Sequence, residues 1–104
     1  MKEIMDNVFN AEVLESNIPV VVDFYTTWCG PCKMVTPIME ELDTQYSGKV
    51  KFVKVDVDKN PIVSNQYSIL SIPTIVLFKS GKIVETVVGF KPKSDFVRMI
   101  GKQI

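Results

Sequence analysis

The sequence predicts an α/β fold, a mixed five-stranded central sheet flanked by about four helices on both faces, in a single domain over residues 1–104. Three observations carry this. Short β-branched and aromatic runs alternate with segments of helical apolar spacing, the pattern of parallel strands joined by crossover helices. The last two strand-like runs are separated by Ser80-Gly81, a tight turn that makes an antiparallel hairpin and so a mixed sheet. The length of 104 residues, 46% of them hydrophobic, suits one compact domain that buries roughly 65% of the surface its unfolded chain exposes.

The elements follow in order. Ile4 belongs to a short first strand. Asp6 is the expected N-cap of a first helix, in which Phe9 and Val13 share one face. Pro19 breaks that helix, and Val20 to Tyr25 reads as a buried strand. A second helix runs from about Pro31 to Tyr46. Val35, Ile38, Met39, Leu42 and Tyr46 recur on its inner face, while Lys33, Glu40 and Asp43 face water. Pro37 lies inside this helix and is expected to kink it, and Gly48 terminates it. Val50 to Val57 is the third strand. Asn60 to Tyr67 is a short helical turn opened by Pro61, a residue suited to a first helical position. Thr74 to Phe78 and Ile83 to Val88 are the hairpin strands, Gly89 ends the sheet, and a last helix from about Pro92 places Phe96, Val97 and Ile100 on one side.

Composition narrows the chemistry. Twelve basic residues balance twelve acidic ones, which argues against nucleic acid as a partner. The chain has no histidine and only two cysteines, so Ser-His-Asp and Cys-His catalysis, His-ligated zinc and four-thiolate metal sites are all excluded within one chain. No metal ligand set is expected. Met1 to Asn10 lacks the apolar stretch of about 7–15 residues that a secretory signal carries. The longest apolar runs, Val20 to Val22 and Ile75 to Phe78, fall far short of the roughly 20 residues that span a bilayer. The expectation is a soluble, cytoplasmic protein, in a compartment where disulfides are usually transient and catalytic.

Both cysteines lie in the tetrad Cys29-Gly30-Pro31-Cys32. A structural disulfide is the plain alternative, but closing so small a ring stabilises by only about 2 kcal/mol, against about 4.7 for a hundred-residue loop. Redox chemistry fits the context better. The tetrad follows a buried strand and opens an amphipathic helix, where free N–H groups and the helix dipole favour a thiolate at Cys29. That thiolate attacks a disulfide, and Cys32, one turn on, is placed to resolve the mixed disulfide. Gly30 is expected to let the backbone turn tightly beside a substrate, and Pro31 presets a helical angle without an N–H.

The run Asp23 to Met34, with Trp28-Cys29-Gly30-Pro31-Cys32-Lys33 at its centre, then Pro37, then Ser71-Ile72-Pro73-Thr74, then Val88-Gly89, closely resembles the thioredoxin family, from about Val8 to the last helix. The resemblance implies the thioredoxin fold and a general protein disulfide reductase. It implies no bound cofactor, a redox-active Cys29–Cys32 disulfide, and recharging by a thioredoxin reductase. The implied clients are disulfide-containing proteins of the ribonucleotide reductase, peroxiredoxin and methionine sulfoxide reductase types. The protein would act as a monomer.

The resemblance also gives roles to other residues. Asp23, an acid in an apolar strand whose pKa burial should raise, becomes a proton acceptor for Cys32; its plainer role is to bind nearby N–H groups. Lys54 is by pattern a solvated strand lysine; the resemblance places it near Asp23, where its charge would lower that acid's pKa again. Pro73 is by pattern a strand-start trans proline; the resemblance implies a cis proline facing the cysteines, with Ile72 offering main-chain groups to an extended substrate. Trp28 could be core or contact. With Gly30, Pro31, Ile72, Val88 and Gly89 it would form a weakly polar docking patch, Gly89 leaving room for a partner backbone.

Several positions depart from the family pattern. Tyr25 stands where many bacterial members have tryptophan, Thr26-Thr27 where Ala-Glu is common, Ser71 where glycine is frequent and Phe90 where alanine is frequent. These bear on partner preference. Pro31 in place of a histidine argues for a reductant, because it adds no cation to stabilise the thiolate. The rival functions are a noncatalytic subunit of a larger assembly, a two-thiolate metal carrier, and a thiol oxidase or isomerase.

Overall fold

A computed structural model describes residues 1–104. Five strands, β1 (Lys2–Glu3), β2 (Val20–Tyr25), β3 (Lys51–Asp56), β4 (Thr74–Lys79) and β5 (Lys82–Val88), form one sheet in the order β1-β3-β2-β4-β5. β3 pairs in parallel with β1 and β2, and β4 pairs antiparallel with β2 and β5. The mixed sheet is as expected. The helical elements are a segment over residues 6–14, α1 (Gly30–Gln45), a 3-10 turn over Val57–Lys59, α2 (Pro61–Gln66) and α3 (Lys93–Gly101).

The period-2 alternation of β2 divides the core. Val20, Val22 and Phe24 pack with Phe9, Val13, Val53, Val55, Val63, Val76 and Phe78 under the first helical segment and α2. Val21 packs with Val35, Met39, Leu42, Phe52, Ile75, Leu77, Phe96 and Ile100 under α1 and α3. Each sheet face is therefore covered by two helical elements. Alternation along β2 puts Asp23 on the α1 face, and alternation along β3 puts Lys54 there too.

Four local expectations are corrected. Ile4 is buried but lies just past β1; its N–H donates to the Lys54 carbonyl at 3.0 Å. Asp6 does not cap its own segment. Its carboxylate accepts from the amides of Ile62 and Val63 at 3.2 and 2.9 Å, so it supplies the N-terminal bonds of α2 from 56 residues away. The first segment has no side-chain cap bond and winds as a 3-10 turn, Asp6–Val8, followed by a π-helical stretch, Asn10–Leu14. In α3, Met99 joins Phe96 and Ile100 in the core, while Val97 is only half-buried.

α1 runs as one element through Pro37. Proline removes one amide there, and next to it the Thr36 hydroxyl donates to the Cys32 carbonyl at 3.0 Å. Gly81 needs to be glycine on two counts: its φ is +78°, and a Cβ there would lie 3.0 Å from the Leu14 carbonyl oxygen.

Candidate active site

The sheet register gathers the chemistry at one end. β2 and β3 finish side by side at Tyr25 and Asp56. Phe24 pairs with Thr74, the first residue of β4, and Thr74 pairs with Val88, the last of β5. The loop carrying the cysteines, the Ile72–Pro73 segment and Val88-Gly89 therefore emerge at the same end of the sheet. The Ile72–Pro73 peptide bond is cis. The Gly89 N–H donates to the Pro73 carbonyl at 2.8 Å, which ties the end of β5 to the start of β4. Gly89 has a φ of +85°, so a side chain there would be strained.

Cys29 is the N-cap of α1, with extended backbone angles, and Pro31 lies in the first turn. The Cys32 N–H donates to Cys29 Sγ at 3.1 Å. A sulfur thus does what a serine or aspartate oxygen does at other helix starts, and it sits at the positive end of a 16-residue helix. Negative charge on this sulfur is favoured for that reason. Cys29 and Cys32 form a disulfide, with their Cα atoms 5.3 Å apart. Cys29 is 5% exposed and Cys32 2% exposed, so the second sulfur is the deeper one. The chain turns at Cys29; Gly30 is an ordinary helical residue with no positive φ, and a Cβ there would meet nothing within 4 Å. The tight turn expected at Gly30 is therefore absent, because the N-cap already supplies it.

Asp23 is 1% exposed, and neither carboxylate oxygen has a hydrogen-bond partner. Burial pushes its carboxyl from 3.8 up to about 7. The Lys54 charge pulls it down, and the Glu40 charge on α1 pushes it further up. Lys54 is the residue opposite Asp23 on β3. Cys32, Val35, Met39 and Leu42 form the buried stripe of α1, so Cys32 and Asp23 both face the layer between α1 and the sheet.

Trp28 is 69% exposed, which settles it as surface, and its indole N–H donates to Asp58 Oδ2 at 2.8 Å. Asp58 itself is placed by a turn in which its amide donates to the Asp56 carboxylate at 3.0 Å. Val88 is 52% exposed, Gly30 and Pro31 are exposed, and Ile72 and Gly89 are partly so. The main-chain N–H and C=O of Ile72 make no hydrogen bond within the chain. The sequence reading gave no site role to Asp58, to Glu40, which it placed on the outer face of the second helix, or to Thr26, noted only as a departure from the family pattern, whose hydroxyl is buried and unpartnered. Only Asp58 left a trace, as the third residue of an Asp-x-Asp turn. No three cysteine, aspartate or glutamate side chains converge as metal ligands do, and no helix is long and apolar enough to cross a membrane.

The chain matches the Thioredoxin family over residues 1–102. It is 52% identical to thioredoxin 1 of Synechococcus elongatus, over 97% of this chain and 94% of that protein. It is 48% identical to thioredoxin 1 of a Nostoc species, over 98% of this chain and 95% of the relative, and 48% identical to thioredoxin of Rickettsia conorii, over 97% and 96%. The cysteine pair at a helix start, on a five-stranded mixed sheet flanked by helices, agrees with these similarities. The chain belongs to the thioredoxin family and is a dithiol–disulfide oxidoreductase.

Proposed function

We propose that the protein is a general protein disulfide reductase of the cytoplasm, working as a monomer on disulfide-containing client proteins. The Cys29 thiolate attacks one sulfur of a client disulfide. A Cys29–client bond forms and the other client sulfur leaves as a thiolate. Cys32 then loses its proton to Asp23 and attacks Cys29 Sγ. This closes the Cys29–Cys32 disulfide and frees the second client thiolate. The client gains two electrons and the protein loses two. A thioredoxin reductase returns them, and no bound cofactor takes part. Clients of the ribonucleotide reductase, peroxiredoxin and methionine sulfoxide reductase types suit this chemistry.

The observation that carries the reading is the helix-start bond from the Cys32 amide to Cys29 Sγ, which favours charge on the attacking sulfur. Asp23, with its carboxyl near 7, is poised to exchange a proton at neutral pH, and Lys54 tunes it. The unpaired main-chain groups of Ile72, beside Pro73, offer an extended client two backbone hydrogen bonds. Trp28, Pro31, Val88 and Gly89 give a weakly polar surface that tolerates varied partners.

The test is reduction of insulin with a thioredoxin reductase as electron source. Catalysis that disappears with Cys29→Ser supports the reading. Wild-type protein that binds soft metal ions and leaves insulin disulfides intact would replace it with the metal-carrier alternative.

A further inference from the structure

Lys54 has a carboxylate on each side. The β1–β3 register puts Glu3 opposite Lys54, and the β3–β2 register puts Lys54 opposite Asp23. Residues directly opposite in a sheet share a face, so both acids are within reach of one lysine. Yet Lys54 takes part in none of the chain's ion pairs. Tyr25, two residues after Asp23 on the same face of β2, accounts for this. Its hydroxyl donates to Glu3 Oε1 at 2.9 Å, so the side chain reaches across β3 to β1. On the way the ring meets the lysine: Lys54 Nζ lies 5.6 Å from the ring centroid.

We propose that Tyr25, tethered by Glu3, is a positioning residue: it occupies the competing carboxylate and holds the Lys54 ammonium where its charge acts on Asp23. Burial and the bond to Glu3 both push the phenol well above its ordinary range, so it remains a donor throughout the physiological span. From α1, Cys32 faces the same buried layer, and the charge of exposed Glu40, which with Asp43 pairs the Met1 amino group at 3.1 and 3.2 Å, acts on Asp23 from the helix surface. β4 presents the apolar Ile75, and α3 packs on this layer with Phe96, Met99 and Ile100. Asp56, at the end of β3, acts on Tyr25 and holds the Asp58 amide. Glu3 is therefore the acid that competes for Lys54 from the neighbouring strand. Removing the Tyr25 hydroxyl while keeping the ring frees Glu3 to draw the ammonium toward β1 and away from Asp23.

The effect on resolution rate rests on the proposed role of Asp23 as proton acceptor; the effect on its titration does not. The Asp23 carboxyl is titrated by carbon-13 NMR in the disulfide form, where no thiol titrates. Tyr25→Phe should raise its pKa by about 0.5–1. The same substitution made in Glu3→Gln, which has no competing charge, or in Lys54→Met, which has no ammonium to move, should leave it nearly unchanged. An Asp23 titration unmoved by Tyr25→Phe overturns the inference, and so does an equal rise in either second background. A titration that moves while the pH profile of resolution stays put upholds the placement by Tyr25 and refutes the proton role of Asp23.

Discussion

Asp23 and Lys54 stand opposite each other on adjacent parallel strands, and no ion pair joins them. Burial pushes the acid up, the Lys54 charge offsets part of that rise without a direct ion pair, and the Glu40 charge adds to it. The Asp23 carboxyl accordingly titrates near 7 in the folded protein, against 3.8 for an exposed aspartate.

This shift has a stability consequence. Between about pH 4 and pH 7 the folded state holds a proton that the unfolded chain has released, so stability falls as pH rises through that window and stays low above it. Roughly three pK units at about 1.36 kcal/mol each correspond to about 4 kcal/mol. Asp23→Asn should therefore be more stable than wild type at pH 8, by about 2–4 kcal/mol in urea unfolding. The gain should shrink toward zero near pH 4. A gain that is constant with pH would contradict the burial account.

The same substitution should slow catalysis at one step. Stopped-flow kinetics should show Cys29 attack nearly unchanged and resolution by Cys32 slowed by about tenfold or more at pH 7. The wild-type resolution rate should rise through about pH 7, where Asp23 loses its proton, and that inflection should vanish in Asp23→Asn. Unchanged resolution would remove Asp23 from the mechanism.

Pro31 contributes a helical angle and no donor or cation beside Cys29. Pro31→His adds a cation that stabilises the thiolate and hence the reduced form. Its reduction potential, measured against glutathione, should become less negative by about 30 mV or more, a tenfold change in the equilibrium constant. A potential that stays put or falls would contradict this.

Trp28 is the only tryptophan, so its fluorescence reports this exposed surface beside the cysteines, the proposed docking patch, alone. Asp58→Ala removes the carboxylate that holds the indole at 2.8 Å. Its anisotropy should drop and kcat/KM for insulin reduction should fall by about two- to fivefold, while stability changes by less than about 1 kcal/mol. Unchanged anisotropy would show that the bond does not order the ring.

Asp6 acts far from its own segment. Asp6→Ala should cost about 1–2 kcal/mol, because the Ile62 and Val63 amides at the start of α2 lose their acceptor. Asp6→Asn should retain most of that stability. Equal losses in both variants would mean that charge rather than capping is at work.

Much of this was legible in the sequence because it is written locally. The β-branched run Val20–Tyr25 is the observed β2, and the apolar spacing of Val35, Met39 and Leu42 is the observed inner stripe of α1. Cys29 at a helix start followed from Pro31 and that stripe. What the sequence did not show depends on pairs remote along the chain. Glu3 meets Tyr25 across 22 residues and Trp28 meets Asp58 across 30, and no periodicity connects either pair. Asp6 was misplaced for the same reason: a capping residue next to a helix start reads as that helix's cap, and here its partner amides lie on α2.

The division of labour between the two sulfurs is tested most directly by mass spectrometry of single-cysteine variants mixed with a disulfide client. Cys32→Ser should accumulate a covalent adduct through Cys29, since attack proceeds and resolution cannot. Cys29→Ser should accumulate almost none, because Cys32 is the more deeply buried sulfur and lies inside the helix. Adducts forming equally on both variants, or only through Cys32, would contradict Cys29 as the attacking thiolate.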